Sequence, residues 1–262
     1  MSDILHTIAE ATRIRVANAK KVHSLEEVKE KALAMDVNTG FPFERALAKE
    51  HMSFICECKK ASPSKGIIAE KFEYIQIAKD YEKAGASCIS VLTEPQWFMG
   101  RNEYLQEITA NVSVPCIRKD FTVDEYMIYE AKLLGASAVL LICSILDEDT
   151  IRNYIRVADS LGLSALVETH DENEIAMAVR AGARIIGVNN RNLKNFTVDI
   201  SNSLRLRELV PRNILFVAES GIKTRQDIVC LEEGFVDGVL IGETLMRADN
   251  KQEIMDELKG IS

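Results

Sequence analysis

Short apolar runs alternate with longer polar stretches along most of the chain. Eight of these runs, rich in Val, Ile, Leu and Cys, recur about every 26 residues. They read FICEC (54–58), CISVL (88–92), CIRKD (116–120), AVLLIC (138–143), SALVET (164–169), IIGVNN (185–190), LFVAES (215–220) and GVLIG (238–242). Continuous apolar runs of this length are typical of parallel strands that are buried on both faces. The pattern therefore predicts eight parallel strands.

The stretches between the runs have the periodicity of amphipathic helices. Tyr126, Tyr129 and Leu133, for example, share one helical face ahead of Gly135. A glycine follows five of the predicted helices, at Gly85, Gly135, Gly162, Gly182 and Gly234. Glycine suits this place because the residue that ends a helix often needs a positive φ. Eight strand–helix units predict a closed (β/α)₈ barrel, with an open doubly wound sheet as the alternative.

The first 50 residues lie outside the eightfold repeat. Leu25, Val28, Ala32 and Met35 form one apolar stripe, and the sequence TGFP (39–42) predicts a break after it. We expect one or two extra helices here, packed on the barrel over one of its mouths. No linker separates them from the repeat, so 262 residues predict a single domain. Its parts are a helical extension (1–50) and a barrel (51–262).

Composition and charge exclude several classes of protein. The chain is 47% hydrophobic and 27% charged, which is ordinary for a folded protein and too apolar for a disordered one. A formal net charge of −8 argues against binding to nucleic acid or to an anionic membrane. The apolar runs are much shorter than the roughly 20 residues of a membrane-spanning helix.

Cysteine placement bears on the cellular compartment. Five of the six cysteines lie in predicted strands, and none forms a CxxC pair. We interpret them as buried, reduced thiols that serve as small apolar side chains. With no signal peptide at the start of the sequence, this predicts a cytoplasmic protein.

Polar and charged side chains gather where the predicted strands end. In a (β/α)₈ barrel this is the face that carries the active site. The strand ends carry Glu57, Lys59, Thr93, Glu94, Lys119, Asp120, Ser144, Glu168, Asn189, Arg191, Glu219, Ser220, Gly242 and Glu243. Burying unpaired charges is costly, so these groups must neutralise one another or hold a ligand. The inventory predicts an enzyme rather than a passive binding protein.

Two features of the loops predict a small anionic ligand. Ser220 and Gly221 follow the seventh strand and Gly242 ends the eighth, where backbone amides of barrel enzymes often bind phosphate. The first loop, within ECKKASPSKG (57–66), carries three lysines. Alternation along the strand puts Glu57 and Lys59 on the same side. A cationic first loop is suited to close over an anion.

At these residues the chain resembles the indole-3-glycerol phosphate synthase family. The matching motifs are ECKKASPSKG (57–66), SVLTE (90–94), IRKDF (117–121), EAKLLGASAVLLI (130–142), LVETH (166–170), GVNNRNL (187–193), AESGI (218–222) and LIGETLMR (240–247). The resemblance implies a (β/α)₈ barrel with extra N-terminal helices. It also implies a lyase of tryptophan biosynthesis, which closes an indole ring on 1-(2-carboxyphenylamino)-1-deoxyribulose 5-phosphate with loss of CO₂ and water.

The resemblance also implies the roles of the central side chains. Lys119 matches the general acid, Glu168 matches the general base, and Lys59 is a second acid for the dehydration. Either lysine fits either protonation step. We expect the cations of Arg118, Lys59 and Arg191 to lower the pKa of Lys119 and so to make its proton easier to donate.

The remaining site residues support this chemistry. By resemblance, Glu57 orients the lysines, Asn189 holds the hydroxyls or the carbonyl of the substrate, and Glu219 joins the lysines into one network. Expected substrate-binding residues are Ser62, Phe98, Phe121, Leu140, Arg191 and Ser220. Expected phosphate-binding residues are Ser220, Gly221, Gly242 and Glu243, the last through its backbone N–H with its carboxylate turned outward.

His170 stands close to Glu168 in the LVETH motif. We expect strand alternation to point it away from the side of Glu168. This predicts either a structural histidine or one that supports the catalytic residues from behind, rather than a catalytic one.

Two other functions stay open. Phosphoribosylanthranilate isomerase is a sister barrel that by family pattern uses a cysteine of strand one and an aspartate of strand six. Here Cys58 is followed by Lys59 and strand six ends in Asn189-Asn190, so that acid is missing. A non-catalytic phosphate-ligand sensor would have no need of Lys119 and Glu168. The sequence shows no metal-binding spacing or nucleotide loop, so no cofactor is predicted, and we expect a monomer.

Overall fold

A closed barrel of eight parallel strands forms the centre of the protein. The structure, a computed structural model, describes residues 4–192 and 197–261. The strands are β1 (Ser53–Cys58), β2 (Cys88–Leu92), β3 (Cys116–Lys119), β4 (Ala138–Ile142), β5 (Ser164–Thr169), β6 (Ile185–Asn189), β7 (Leu215–Glu219) and β8 (Gly238–Ile241). Each strand pairs with the next, and β8 closes on β1. The (β/α)₈ prediction is confirmed, and the open sheet was the wrong alternative.

Helices surround the barrel and precede it. The described residues form α1 (Ile4–Val22), α2 (Leu25–Leu33), α3 (Pro42–Leu47), α4 (Tyr74–Lys83), α5 (Asn102–Thr109), α6 (Tyr126–Leu133), α7 (Glu148–Ser160), α8 (Glu172–Ala181), α9 (Ser201–Arg207), α10 (Arg225–Glu233), α11 (Glu243–Arg247) and α12 (Lys251–Lys259). Three helices precede β1, where the sequence predicted one or two. The third begins at Pro42, a residue whose fixed φ suits the first turn of a helix.

The two sides of the strands build two apolar layers. Val91, Val139 and Val167 point outward and pack under the helices. Ile55, Leu140, Leu166 and Leu240 belong to the cluster that fills the barrel. This alternation leaves the polar residues at the strand ends as the upper boundary of the barrel core.

The N-terminal helices cover both ends of the barrel. On α1, Leu5 and Ile8 join the inner cluster from the side where the strands end. On α3, Phe43 and Leu47 join the same cluster, and Leu47 lies beside Gly238, the first residue of β8. The extension therefore closes the lower end with α3 and forms one wall of the upper mouth with α1.

A buried ion pair ties α1 to the end of β3. Arg15 donates to Asp120 over 2.7 Å, and the Asp120 side chain is fully buried. The other carboxylate oxygen of Asp120 accepts a hydrogen bond from Thr93 over 2.6 Å. Arg118 turns outward from the same strand and pairs with Glu130 over 2.6 Å. This network attaches the first helix beside Lys119, the residue that ends β3.

Glycines end four helices as predicted, but the fifth position behaves differently. Gly85, Gly135, Gly162 and Gly182 have φ of +80°, +82°, +69° and +90°. Gly234 has φ of −77°, and the left-handed conformation falls on Phe235 instead, with φ of +59°. A Cβ on Gly234 would overlap the Leu204 side chain of α9. Gly234 therefore still caps α10, but what favours glycine here is close packing against α9 rather than a positive φ.

The cysteine interpretation is confirmed. All six cysteines are free, and the five that lie in or next to strands are buried. Burial raises the pKa of the Cys56 thiol to about 12, so it remains protonated at neutral pH. Within residues 4–192 and 197–261, no helix is long and apolar enough to cross a membrane.

Removing the Arg15 cation, which pairs α1 with Asp120, should destabilise the protein. We expect Arg15→Ala to lower the free energy of unfolding by about 2 kcal/mol, because it leaves the buried Asp120 carboxylate short of a partner. Arg13→Ala on the same helix is the matched control, since the Arg13–Glu10 pair is exposed and should contribute less than about 0.5 kcal/mol. Urea denaturation of both variants measures the difference; equal losses would contradict a special role for Arg15.

Candidate active site

One cavity of about 720 Å³ opens where the barrel strands end. Its walls come from all eight strand ends or the loops that follow them, and from α1. The structure brings every predicted site residue to this cavity: Glu57, Lys59, Ser62, Phe98, Lys119, Phe121, Leu140, Glu168, Asn189, Arg191, Glu219, Ser220, Gly221, Gly242 and Glu243.

Lys119 lies at the centre of the polar floor. Its Nζ is 2.5 Å from Glu219 Oε2 and 3.2 Å from Glu168 Oε2. The Asn189 side-chain amide donates to Glu168 Oε1 over 3.3 Å. All of these groups come from strand ends, so rigid backbone holds them, and the Glu168 and Glu219 side chains are at most 5% exposed.

The expectation that cations lower the pKa of Lys119 was wrong. Burial alone would lower this pKa, but the carboxylates of Glu219, Glu168 and Glu57 outweigh it and raise the pKa well above the usual range. Arg118, one of the expected neighbours, faces the helices instead of the cavity. Lys119 is therefore firmly protonated in the ligand-free site.

The two carboxylates on Lys119 have opposite pKa shifts. Burial raises the pKa of Glu219 to about 7, although Lys119 opposes this change. Burial also disfavours the charged form of Glu168, but there Lys119, His170 and the Asn189 amide prevail and hold the pKa below its usual value. Pairs of acids whose environments separate their pKa values are typical of acid–base sites. Glu168 is the partner that stays ionised, as a base requires.

Glu57 and Lys59 form a second pair at the end of β1. Their carboxylate and ammonium groups are 2.5 Å apart, and Ser90 donates to the other carboxylate oxygen over 3.3 Å. Gly242 packs directly against this pair, because a Cβ there would lie 2.6 Å from Glu57 Oε2 and 2.8 Å from Lys59 Nζ. The sequence interpretation explained the glycine at position 242 by a phosphate-binding turn. The structure gives a further reason for glycine there, since a larger residue would collide with the Glu57–Lys59 pair.

Gly187, inside β6, is a site residue that the sequence interpretation missed. A Cβ at this position would overlap Glu219 Oε1. That oxygen is buried and has no hydrogen-bond partner among the described residues. Glycine within a strand often marks a close approach, and this signal was available in the motif GVNN.

The opposite wall of the cavity is apolar. The rings of Phe98 and Phe121 lie 6.3 Å apart between centroids, and Leu140 is buried below them. Glu94 also lines the cavity, and it accepts the backbone N–H groups of Trp97 and Phe98 over 2.7 and 3.0 Å, which holds this loop in place. Ile4, Leu5 and Ile8 of α1 complete the wall, and the sequence did not predict them individually.

The expected phosphate end combines tight turns with cations. Ser220 and Gly221 have φ of +69° and +91°, so two left-handed residues turn the chain sharply after β7. The Glu243 carboxylate contacts Arg247 over 3.1 Å and Lys65 over 3.7 Å. Lys65, one of the three lysines of the first loop, also lines the cavity. Lys223 and Arg247 line it too, and the sequence interpretation did not single them out.

The expected direction of His170 was wrong, but its expected place outside the cavity was not. Residues two apart on a strand share a side, and the structure places His170 beside Glu168 instead of away from it. In the structure, His170 Nε2 lies 3.5 Å from Glu168 Oε1. It does not line the cavity but lies behind the carboxylate.

Cys58 argues against the isomerase alternative. It is buried in the outer layer, between the strands and the helices, and does not line the cavity. In addition, no group of His, Cys, Asp and Glu side chains among the described residues is arranged to hold a metal ion.

Fold and cavity together define a (β/α)₈-barrel enzyme with lysine and carboxylate groups for acid–base chemistry on a small molecule. The profile of the indole-3-glycerol phosphate synthase family matches residues 5–258. The enzyme of that name from Ruminiclostridium cellulolyticum is 57% identical over 257 residues, which cover 98% of this chain and 99% of the relative. The one from Endomicrobium trichonymphae is 51% identical over 256 residues, with 98% and 99% coverage.

These matches show that the chain belongs to the indole-3-glycerol phosphate synthase family. It is a carboxy-lyase of tryptophan biosynthesis that forms indole-3-glycerol phosphate. Among solved structures, 3-hexulose-6-phosphate synthase from Salmonella typhimurium is similar with a TM-score of 0.66 at 14% identity. It covers 80% of this chain and 98% of its own length, and this likeness shows the fold alone.

Gly187→Ala should disturb the site without changing any polar group. The new methyl would displace the Glu219 carboxylate from Lys119, and we expect kcat to fall about 10- to 100-fold with a loss of roughly 1–3 kcal/mol in stability. Gly238→Ala is the control, since it places a methyl in a barrel strand with its nearest neighbours at 3.3 Å. Steady-state kinetics on folded protein measures the effect, and unchanged kcat would contradict it.

Proposed function

We propose that this cavity binds 1-(2-carboxyphenylamino)-1-deoxyribulose 5-phosphate and closes its indole ring, with Lys119, Lys59 and Glu168 moving the protons. The observation that carries the proposal is the position of Lys119 between Glu168 and Glu219, on the floor of a cavity with one apolar wall and one cationic end. An aromatic, carboxylated sugar phosphate needs each of these surfaces.

The first step forms a carbon–carbon bond. As the ring carbon that bears the carboxylate attacks the ribulose carbonyl carbon, Lys119 gives a proton to the carbonyl oxygen. Lys119 is a poor acid while two carboxylates hold it, so the substrate carbonyl must take the place of one of them on Nζ. Glu219 is the better one to leave, because its raised pKa of about 7 allows it to become neutral.

The following steps release CO₂ and water. The carboxylate leaves as CO₂, and the bonding electrons restore the aromatic ring. A second acid, Lys59, then protonates the new hydroxyl so that it leaves as water. Glu168 removes the proton from the adjacent carbon and the indole double bond forms. Glu57 holds Lys59 in place over 2.5 Å, and Asn189 holds Glu168 over 3.3 Å.

The rest of the cavity positions the substrate. Phe98, Phe121 and Leu140 pack the anthranilate ring against one wall, while Arg191 pairs with an anionic group of the substrate. Ser62 belongs to a short antiparallel hairpin after β1, formed by Ala61–Ser62 and Gly66–Ile67, and contacts the substrate from above. The phosphate is bound by the backbone N–H groups at Ser220, Gly221, Gly242 and Glu243. The Glu243 carboxylate does not oppose this, because it is directed to Arg247 and Lys65.

The context of the enzyme is also proposed. We propose a single-domain monomer, with residues 1–50 as the extension and 51–262 as the barrel. We propose the cytoplasm as its compartment, supported by six free cysteines. Sedimentation measures the monomer directly.

Lys119→Ala tests the assignment of the acid. We expect kcat to fall about 10²- to 10⁴-fold, because the carbonyl oxygen loses its proton donor. Indole fluorescence follows the product, in a chelator-containing buffer without added cofactor. Lys60→Ala is the control: Lys60 lies on the same first loop as Lys59 but does not line the cavity, so its kcat should be unchanged. Full activity in Lys119→Ala would contradict the assignment.

A further inference from the structure

A chain of polar contacts runs outward from the Glu168 carboxylate through His170. Nδ1 of His170 lies 3.0 Å from Glu174 Oε2 and 3.2 Å from the Ser144 hydroxyl. Ser144 itself donates to Glu174 Oε1 over 2.6 Å, and the backbone N–H of His170 donates to Glu174 Oε2 over 2.7 Å. Glu174 therefore holds His170 at two points, the ring nitrogen Nδ1 and the backbone N–H.

These contacts decide which ring nitrogen carries a proton. Glu174 is a carboxylate and can only accept, so Nδ1 must be the donor of their hydrogen bond. The other nitrogen, Nε2, is buried, has no hydrogen-bond partner among the described residues, and faces Glu168 Oε1 at 3.5 Å. A bare lone pair aimed at a carboxylate is unfavourable in a buried place. A proton on Nε2 makes the same contact attractive.

We propose that His170 is a positioning residue for Glu168: held by Glu174 and Ser144, its imidazolium keeps the Glu168 carboxylate ionised and turned toward the substrate. This inference rests on the proposed function, in which Glu168 is the base. His170 does not line the cavity, so its effect passes through Glu168.

The groups around His170 favour its charged form. Burial lowers its pKa, but the hydrogen bond to Glu174 and the charges of Glu168, Glu174 and Glu219 raise it above the usual value. These carboxylates come from β5, α8 and β7. Two further segments pack against His170, the turn after β4 and helix α9, and both contribute neutral groups. These are the Ser144 hydroxyl and the Asn202 amide, which donates to the His170 backbone carbonyl over 3.4 Å.

The same arrangement explains why Glu168 and Glu219 differ. Both carboxylates are buried on Lys119, yet among the described residues Glu168 alone of the two has a second cation, His170, on its outer side. His170 and Asn189 approach one carboxylate oxygen, Oε1, and Lys119 approaches the other. Glu168 is thus held from both ends in its charged form, which a proton acceptor needs.

The test uses His170→Gln, whose amide N–H reaches toward Glu168 but cannot be charged. We expect the acid limb of kcat to move up by about one to two pH units, because Glu168 loses a nearby positive charge. The ratio of wild-type to variant kcat should grow as the pH falls and approach one at alkaline pH, where His170 is neutral in the wild type. KM should change little.

Two further variants bracket this result. Glu174→Gln should shift the acid limb in the same direction but by less, since it weakens the imidazolium without removing it. His23→Gln is the matched control, because His23 also pairs with a glutamate four residues on, Glu27, but on an exposed helix end away from the cavity. Its pH profile should match that of the wild type.

An NMR titration of the His170 ring gives a readout independent of turnover. We expect a midpoint above the ordinary value near 6.5, falling in Glu168→Gln because the facing charge is lost. A kcat ratio that is constant with pH, together with a titration unaffected by Glu168→Gln, would overturn the proposal for His170. If instead Glu168→Gln keeps full activity, Glu168 is not the base and the proposed function itself fails.

Discussion

The site depends on one buried cation, the ammonium group of Lys119, and on the two carboxylates that surround it. Glu168 and Glu219 are too deeply buried to be stable as separate charges, and Lys119 is what permits both at the end of the barrel. Much of the surrounding sequence serves this arrangement. Gly187 leaves room for Glu219. The ion pair between Arg15 of α1 and Asp120 holds the residue that directly follows Lys119 in the chain.

This constraint also explains how an acidic protein handles an anionic substrate. The net charge of −8 describes the whole surface. Around the cavity, Lys59, Lys65, Lys119, Arg191, Lys223 and Arg247 line the walls, and several of them are paired with carboxylates. A ligand that brings its own carboxylate and phosphate can exchange partners with these pairs, so its charges replace those of side chains instead of adding to them.

The fold and the membership of the site could be predicted from the sequence because both repeat with the strands. Each apolar run ends in the residues that reach the cavity, so finding the strands also located Lys119, Glu168 and Glu219. The features that could not be predicted depend on which side chains from distant parts of the sequence come into contact. The pKa of Lys119 was assigned the wrong direction because its sequence neighbour Arg118 faces outward, whereas its spatial neighbours are carboxylates. The contribution of Leu5 and Ile8 likewise requires knowing where α1 docks. His170 was different, because the period of two along a strand already puts it on the side of Glu168, where the structure places it.

The tie between α1 and β3 has a consequence for how the chain acquires its structure during synthesis. Arg15 and Asp120 are 105 residues apart in sequence. During synthesis α1 therefore cannot take its final place until β3 and Asp120 have also been made. Until then its apolar face has no partner in the barrel, and contacts across such a separation form slowly. The wall of the cavity that α1 provides consequently cannot assemble before the third strand.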